Sequence, residues 1–363
     1  MCKLFNHNNF LKVPEQAEKG GAMNRPKEKM ESSYKNDPAY RITSVVVPAF
    51  IGLLFLIFIW YSRNQQLINE PRTMTIYCFS AMETVMERGL LPAFQKKWLK
   101  EKQERVEFIT TFAGSGVITR QIITRFPAEV AILSSELDAR RLMTAGTITA
   151  SSWQDLQQKQ KFCQSSLVLF LGEKAGDTPA DLADIDYYGI NIIIPDPLTS
   201  GEGQIAALAL YRAKLDQGFG HDAALAFVKR VFQRTVSHPS TAQDAWEQFQ
   251  AGLGDVMLNY ESVGANQPKD TNIRMVFPRP NIMTEHVAVA LRQNISEEQE
   301  EIVDSFLTFL WSDKAQAILK GHGFRSQLQE DAAPPPPPLY TLDSLGDATR
   351  LILDVLDPLV AGK

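Results

Sequence analysis

The segment Ile190–Ala213 reads INIIIPDPLTSGEGQIAALALYRA, the pattern of a buried strand, a polar turn and a helix. Its apolar run, followed by two prolines, predicts a short strand covered on both faces. Thr199 and Ser200 supply N-cap oxygens, and Gly201 and Gly203 let the backbone approach a ligand. A helix that begins in this way has unpaired N–H groups and a positive dipole end, so the turn predicts an anion site. Many α/β proteins begin helices similarly with nothing bound, so a purely structural role stays open.

The composition excludes several classes of protein. The chain has 363 residues, 44% of them hydrophobic, which is enough for two lobes and additional segments. Residues 1–72 hold 10 basic and 6 acidic residues, which leaves 27 basic and 36 acidic residues in the remainder. An acidic body of this kind argues against a nucleic-acid partner. The cysteines Cys2, Cys78 and Cys163 and the five histidines are scattered, so we predict no disulfide scaffold, metal site or cofactor.

The first 61 residues predict a membrane anchor. Residues 1–44 are mainly polar and predict a disordered cytoplasmic tail. Residues 45–61, VVVPAFIGLLFLIFIWY, are uncharged, long enough to span a bilayer, and end in an aromatic pair that suits the interface. No cleavage site follows at Ser62, so we expect an uncleaved anchor with the remainder of the chain outside the cytoplasm. A buried core helix is the alternative interpretation.

Two further strand–turn–helix units follow the predicted anchor. Met74–Phe79 predicts a strand, and Ser80 is expected to cap the helix after it. Val106–Phe112 predicts a second strand, and Ser115 lies in the Gly-Ser-Gly turn that precedes another helix. With Pro127–Ser134 as the third strand, the order βαβαβ predicts a parallel sheet whose ligands bind at the carboxyl ends of the strands. Ser80 and Ser115 are therefore expected at the same edge.

The second half of the chain carries more polar turns. Ser166–Gly172 predicts a strand that takes the chain into a second lobe. In that lobe Thr241 is expected to cap the helix Ala242–Gln250, and Tyr260 ends a short strand that follows a Gly-x-Gly turn. The return to the first lobe is predicted as strands and helices over residues 274–278, 287–291, 297–311 and 342–360.

Taken in order, the polar turns resemble those of the sulfate-binding proteins of ABC importers, a branch of the type II periplasmic binding proteins. The resemblance runs from about Thr75 to the end of the chain. No single motif is specific, and the resemblance depends on their order. The motifs are Gly114-Ser115-Gly116, Pro195-Asp196-Pro197-Leu198-Thr199-Ser200-Gly201, Gly252-Leu253-Gly254-Asp255-Val256, Val276-Phe277-Pro278 and Leu339-Tyr340-Thr341-Leu342-Asp343.

The resemblance implies an α/β fold in which two lobes joined by hinge strands close over a dehydrated oxyanion, preceded here by one transmembrane helix. After the tail (1–44) and the anchor (45–61) that composition and hydropathy predict, the implied parts are the first part of lobe one (73–172), lobe two (173–273), and a return to lobe one with a C-terminal helix (274–363). A monomer facing the periplasm or cell exterior would capture sulfate or a related tetrahedral oxyanion. It would deliver this ligand to an ABC permease and its ATPase.

The sequence leaves a second class of function open. The anchored domain could be an oxyanion sensor or an accessory subunit that no longer transports. An enzyme is not indicated, because the turns carry no Ser/His/Asp order and no phosphate-loop motif.

The resemblance also implies the ligand-binding residues, which are Ser80, Ser115, Ser200, Gly201, Glu202, Thr241 and Tyr260. Backbone N–H groups would come from Ser80, Gly201 and Thr241, and hydroxyl donors from Ser115 and Ser200. Ser80 replaces the family's usual aspartate and Tyr260 its tryptophan, and both keep a possible donor. Sulfate offers only acceptors, so a site made only of donors would select it over protonated phosphate.

Glu202 departs further from the family, because it stands where a second glycine is common. A carboxylate beside a doubly charged anion repels it. We therefore expect the Glu202 side chain to point to solvent and to favour the helix dipole. In the alternative it faces the cleft and accepts a hydrogen bond from a protonated oxyanion.

Overall fold

The computed structural model describes residues 38–69, 71–149, 161–176, 181–187, 189–265, 272–326 and 338–361. The chain divides into two compact units, Met1–Ile68 and Asn69–Lys363. The first contains one long helix, α1 (Pro38–Asn69), which includes the predicted anchor and has exposed side chains over 46–61. None of the described helical stretches has both the length and the apolar character needed to cross a bilayer. Most of the predicted tail, residues 1–37, lies outside the described residues.

The second unit alternates strands and helices. Its strands are β1 Arg72–Phe79, β2 Val106–Ala113, β3 Val130–Leu133, β4 Lys161–Leu171, β5 Ile192–Ile193, β6 Val256–Tyr260, β7 Arg274–Val276, β8 Asn281–Ala290, β9 Arg325–Ser326 and β10 Leu339–Thr341. Its main helices are α2 Leu91–Lys102, α3 Ser115–Ile123, α4 Glu136–Thr144, α5 Gly201–Asp216, α6 His221–Arg234, α7 Ala242–Gln250, α8 Glu261–Ala265, α9 Glu297–Leu310 and α10 Asp313–Gly321.

The strands form two sheets that share β4. In the first sheet β1 pairs in parallel with β2 and β3, as the βαβαβ order predicts, and β8 lies antiparallel between β3 and β4. In the second sheet β6 lies between β4 and β5. The β4 strand pairs with β8 as far as Ser166 and with β6 from Leu167 onward, so it passes directly from one sheet to the other. This layout is a two-lobed α/β fold, and the predicted lobe boundaries stay predictions.

Helix α5 has an almost wholly buried N-terminal half. Every residue from Gly201 to Leu210 is buried, and the helix packs against α6 and β6. A Cβ added at Gly203 would lie 2.7 Å from the Pro197 backbone nitrogen, so only glycine allows this close approach. The segment Ile190–Ala213 therefore forms a short strand, a turn and a helix, as predicted, and its turn lies inside the protein.

Two predicted helices differ from the structure. Ser80 does not cap a helix; it is the first residue of the 3-10 turn Ser80–Met82, which continues through a π-helical stretch into α2. Residues 342–360 do not form one helix. They form a short helix, Leu342–Leu345, and after one break a helical run made of Ala348–Arg350, a π-helical stretch Leu351–Leu356 and Asp357–Val360. The break occurs because Gly346 has φ 133° and Asp347 caps a new turn through the Arg350 N–H.

Candidate anion site

The predicted site residues lie where strands end and helices begin. Ser80 follows β1 and Ser115 follows β2, so both lie at the same edge of the first sheet, as predicted. Ser200 is the N-cap of α5, and Thr241 is the N-cap of α7, its hydroxyl accepting a hydrogen bond from the Asp244 N–H at 3.0 Å. The Ser80–Met82 turn contacts α7. The fold thus brings turns from both sheets toward one region.

Direct hydrogen bonds join the turns of the two sheets. The Gly116 N–H donates to the Thr199 carbonyl at 2.9 Å, and the Arg120 guanidinium donates to the Leu198 carbonyl at 2.6 Å. The Thr199 hydroxyl in turn donates to the Ser240 carbonyl at 3.0 Å. The turns that begin α3, α5 and α7 are therefore in contact, which is a closed arrangement of the lobes.

Ser115 is buried, and its hydroxyl donates to a carboxylate of the protein itself. Its Oγ lies 2.5 Å from Asp138 Oδ2 and accepts a hydrogen bond from the Ser134 N–H at 3.0 Å. Because a serine hydroxyl has a single proton, Ser115 cannot donate to an anion while it donates to Asp138.

Ser200 makes the same kind of contact with Glu202. Its Oγ accepts from the Gly203 N–H at 3.4 Å and donates to Glu202 Oε2 at 2.5 Å. Glu202 is only 1% exposed, so the expectation that its side chain points to solvent is wrong. The reason is tertiary, because the first turn of α5 lies inside the protein and the side chain folds back onto its own N-cap.

Burial raises the pKa of the Glu202 carboxyl above its ordinary value. The hydrogen bonds from Ser200 and from its own backbone N–H oppose this shift, and the nearby charge of Asp138 adds to it. Glu202 Oε1 is buried and has no hydrogen-bond partner in the part of the chain that the structure describes. The carboxyl is therefore incompletely satisfied, which is costly for a buried polar group.

Asp138, in the first turn of α4, is a site residue that sequence reasoning missed. It is fully buried and accepts hydrogen bonds from Ser115, from Gln204 Nε2 at 3.2 Å and from Arg141 Nη1 at 3.3 Å. Arg141 also donates to Gln204 Oε1 at 3.0 Å. Asp138 thus connects α3 and α4 to α5, and it is a second buried carboxylate near these turns besides Glu202.

Ser134, which follows β3, was also missed as a site residue and lies at the centre of the region. Its Oγ is 2.8 Å from the Tyr260 hydroxyl, and its carbonyl accepts from His286 Nδ1 at 2.7 Å. Burial lowers the pKa of His286 to about 4, so the ring is neutral at neutral pH. Burial and the charge of Glu202 raise the pKa of Tyr260, which keeps its phenol protonated. The sequence could have indicated Ser134 as a site residue, because it follows a parallel strand as Ser80 and Ser115 do.

The region offers hydrogen-bond donors for an anion and no arrangement for a metal. The first turns of α3, α5 and α7 present N–H groups, and Tyr260 contributes a neutral hydroxyl. Among the described residues, no group of histidine, cysteine and carboxylate side chains could hold a metal ion. The chemistry that this arrangement supports is reversible capture of an oxyanion.

Comparison with known proteins agrees with this geometry. Residues 74–325 match the family described as bacterial extracellular solute-binding protein. A sulfate-binding protein of Synechococcus elongatus is 25% identical over 269 residues, which cover 73% of this chain and 76% of the relative. A thiosulfate-binding protein of Pseudomonas aeruginosa is 24% identical over 245 residues, which cover 66% of this chain and 74% of the relative.

Solved structures give the same result. The sulfate-binding protein SubI from Mycobacterium tuberculosis is 25% identical and superposes with a TM-score of 0.66 over 79% of this chain and 98% of its own. A periplasmic thiamin binding protein, 16% identical, has the same fold with a TM-score of 0.60 over 80% of this chain and 96% of its own. The resemblance to sulfate-binding proteins is therefore confirmed. Because the family match covers most of its length, the chain belongs to the bacterial extracellular solute-binding proteins and is not an enzyme.

Proposed function

We propose that this protein captures sulfate or a similar tetrahedral oxyanion outside the cytoplasmic membrane and delivers it to an ABC importer. One observation carries the proposal. A methyl group added at Gly201 would lie 3.4 Å from the Ser115 Cβ and closer still to Ser134, so the N-termini of α3 and α5 face each other at a buried point. Two helix N-termini directed at one buried point stabilise a negative charge. The names of the sulfate- and thiosulfate-binding relatives support the same ligand class.

The proposed ligand set is the one that the resemblance implies, namely Ser80, Ser115, Ser200, Gly201, Glu202, Thr241 and Tyr260. Helix N–H groups and the neutral Tyr260 phenol are donors as the protein stands. The Ser115 and Ser200 hydroxyls become donors to a ligand only when they leave Asp138 and Glu202. Ligand binding would therefore exchange two internal hydrogen bonds for two bonds to the oxyanion.

A calorimetric titration of the full chain against sulfate, thiosulfate, phosphate, molybdate and tungstate tests the proposal. We expect sulfate or thiosulfate to bind, and Ser115→Ala and Ser200→Ala each to weaken binding by about 1 to 3 kcal/mol, because a ligand acceptor loses its donor. Ser312→Ala is the matched control, since Ser312 caps α10 as Ser200 caps α5. Ser312→Ala should destabilise its helix about as much as Ser200→Ala does, because both remove an N-cap hydroxyl, and it should leave the affinity for the anion unchanged.

Two results of the titration would contradict the proposal. Unchanged affinity in both site variants would place the ligand elsewhere. If the parent protein binds none of the five anions, an accessory subunit that no longer transports is favoured. The Ser115 and Ser200 hydroxyls would then donate only to Asp138 and Glu202.

We also propose, from the hydropathy of the sequence and although no described helical stretch meets the length and apolar character of a bilayer span, that residues 45–61 anchor the protein to the cytoplasmic membrane. Large apolar side chains are exposed along α1, such as Phe55 at 63% and Trp60 at 68%. The protein is expected to stay in the membrane fraction after an alkaline wash. Leu54→Asp with Phe55→Asp should release it, because each aspartate at the centre of a span costs about 2.5 to 3.5 kcal/mol. A parent protein found mainly in the soluble fraction would refute the anchor.

A further inference from the structure

We propose that the Glu202 carboxylate is a tethered anion that competes with the ligand, so that binding of a dianion is coupled to uptake of a proton by Glu202. This inference rests on the proposed oxyanion-binding function, and it concerns how that same site is regulated.

The geometry places the carboxylate where a ligand would bind. Glu202 is the second residue of α5, and its Oε2 lies 2.5 Å from the hydroxyl of the N-cap, Ser200. The N-terminus of a helix is an anion site, because its first N–H groups are unpaired and the dipole is positive there. A carboxylate at 1% exposure in that position occupies the site from within the chain. Its Oε1 has no partner among the described residues, so a protonated Glu202 can donate a hydrogen bond from this atom.

Ser200 links the internal anion to the external one. Its hydroxyl has one proton, which it donates to Glu202. While Glu202 is ionised, the hydroxyl is directed at the carboxylate and cannot also donate to an oxyanion. Ionised Glu202 thus withholds a donor from the ligand and repels it as well.

The surroundings of Glu202 do not neutralise its charge. Among the described residues, the charged and titratable groups that interact electrostatically with Glu202 are Asp138 from α4 and Tyr260 from β6. Arg141 from α4 contacts Asp138, and His286 from β8 contacts the Tyr260 ring. His286 and Tyr260 are neutral at neutral pH, and the Arg141 guanidinium contacts Asp138 and Gln204. A dianion entering this region would meet two carboxylates and one arginine.

A proton on Glu202 removes this conflict. The neutral carboxyl no longer repels the oxyanion, it gains an O–H donor, and it releases the Ser200 hydroxyl for the ligand. Burial has already shifted Glu202 in this direction by raising its pKa. Binding therefore takes up a proton, and affinity for sulfate should fall by at most about tenfold per pH unit as the pH rises.

The experiment is a titration of the full chain with sulfate between about pH 5.5 and 8, in the parent protein and in Glu202→Gln. Sulfate stays a dianion throughout, and His286, with a pKa of about 4, stays neutral. The parent should bind more weakly at each higher pH. Glu202→Gln should bind with nearly constant affinity and more tightly than the parent at the higher pH values, the difference growing by at most about tenfold per pH unit. Glu202→Ala should also bind sulfate with an affinity that does not change with pH. It replaces Glu202→Gln in the experiment if the glutamine variant does not fold.

The matched control is Glu129→Gln. Glu129 is another buried carboxyl whose pKa is raised by burial, and it bonds the Thr75 N–H away from the site. This variant should keep the pH profile of the parent for sulfate binding. A flat profile in Glu129→Gln would mean that the pH dependence does not belong to Glu202.

A measurement without ligand separates the two proposals. Because the folded-state pKa of Glu202 is raised, its protonated form stabilises the native state, and this contribution is lost as the pH rises through that pKa. The Tm of Glu202→Gln relative to that of the parent should therefore rise as the pH increases from 4.5, the ordinary pKa of a glutamate carboxyl, to about 8. A constant difference in Tm would overturn the inference without bearing on oxyanion binding.

The binding data have distinct readings. Equal, pH-independent affinity in the parent and in Glu202→Gln would overturn the tethered anion and leave the proposed function intact. Weaker binding of sulfate by Glu202→Gln at every pH would also overturn it, because the Glu202 carboxyl would then support binding instead of competing with the ligand. If neither protein binds sulfate or the other oxyanions at any pH, the proposed function fails and the inference fails with it.

Discussion

Gly114→Ala is expected to weaken ligand binding by about 10- to 100-fold while the protein stays folded. A Cβ at this position would lie 2.6 Å from the Ser240 carbonyl oxygen and closer still to that of Thr199. Both obstacles are backbone atoms, so no side chain can rotate away. The two sets of turns would have to separate, and the closed arrangement that surrounds the ligand would be lost.

Stability should change less than binding in this variant, because opening the lobes relieves the overlap without disturbing either sheet. Gly114 has φ −62° and ψ 142°, which alanine adopts without strain. Gly220→Ala is the matched control, since Gly220 has φ −76° and no atom within 4 Å of the added Cβ. Titration measures the affinity, and small-angle scattering measures lobe opening. Undiminished affinity in Gly114→Ala would show that ligand binding does not require this contact.

Asp138→Ala is expected to lower the free energy of unfolding by about 3 kcal/mol. The range for breaking a buried pair is about 3 to 5 kcal/mol, and we expect the lower end because Arg141 is 26% exposed and keeps some water. Ser115 and Gln204 would each lose an acceptor inside the protein. Urea unfolding of the full chain measures the change.

The same arginine supplies the control for this prediction. Arg141 also pairs with Asp357 at 3.6 Å, and the Asp357 side chain is 49% exposed. Asp357→Ala should therefore cost less than about 1 kcal/mol, as exposed ion pairs do. Similar losses in the two variants would mean that the burial of Asp138 is not what makes its interactions strong.

The order of strands, turns and helices could be predicted because its signals are local. Thr241 caps α7, and the bounds Ala242–Gln250 agree with the prediction, since a capping side chain acts on the N–H groups of its own turn. The parallel pairing of β1, β2 and β3 follows from the alternation of strands and helices. The prediction of one continuous helix over residues 342–360 is wrong at Gly346, because the apolar pattern does not reveal that this glycine has a positive φ.

The direction of the polar side chains was decided by tertiary structure. A glutamate in the first turn of a helix is favourable for the dipole alone, so the sequence of α5 cannot distinguish an exposed Glu202 from a buried one. Its burial depends on elements far away in the chain, such as α4 and β6, which pack around the first turn of α5.

The sequence by itself determined that helices begin at Gly201 and Ala242, each after a polar turn, because the residues that begin a helix are neighbours in the chain. Helix α3 begins at Ser115, inside the turn that was predicted to precede it. Only the tertiary structure decided that the Ser115 hydroxyl meets Asp138, 23 residues away, and that Ser134 meets Tyr260, 126 residues away. Such pairs form only when segments that are distant in the chain are packed together. Their energy comes from excluding water around polar groups that then satisfy one another, which no local pattern records.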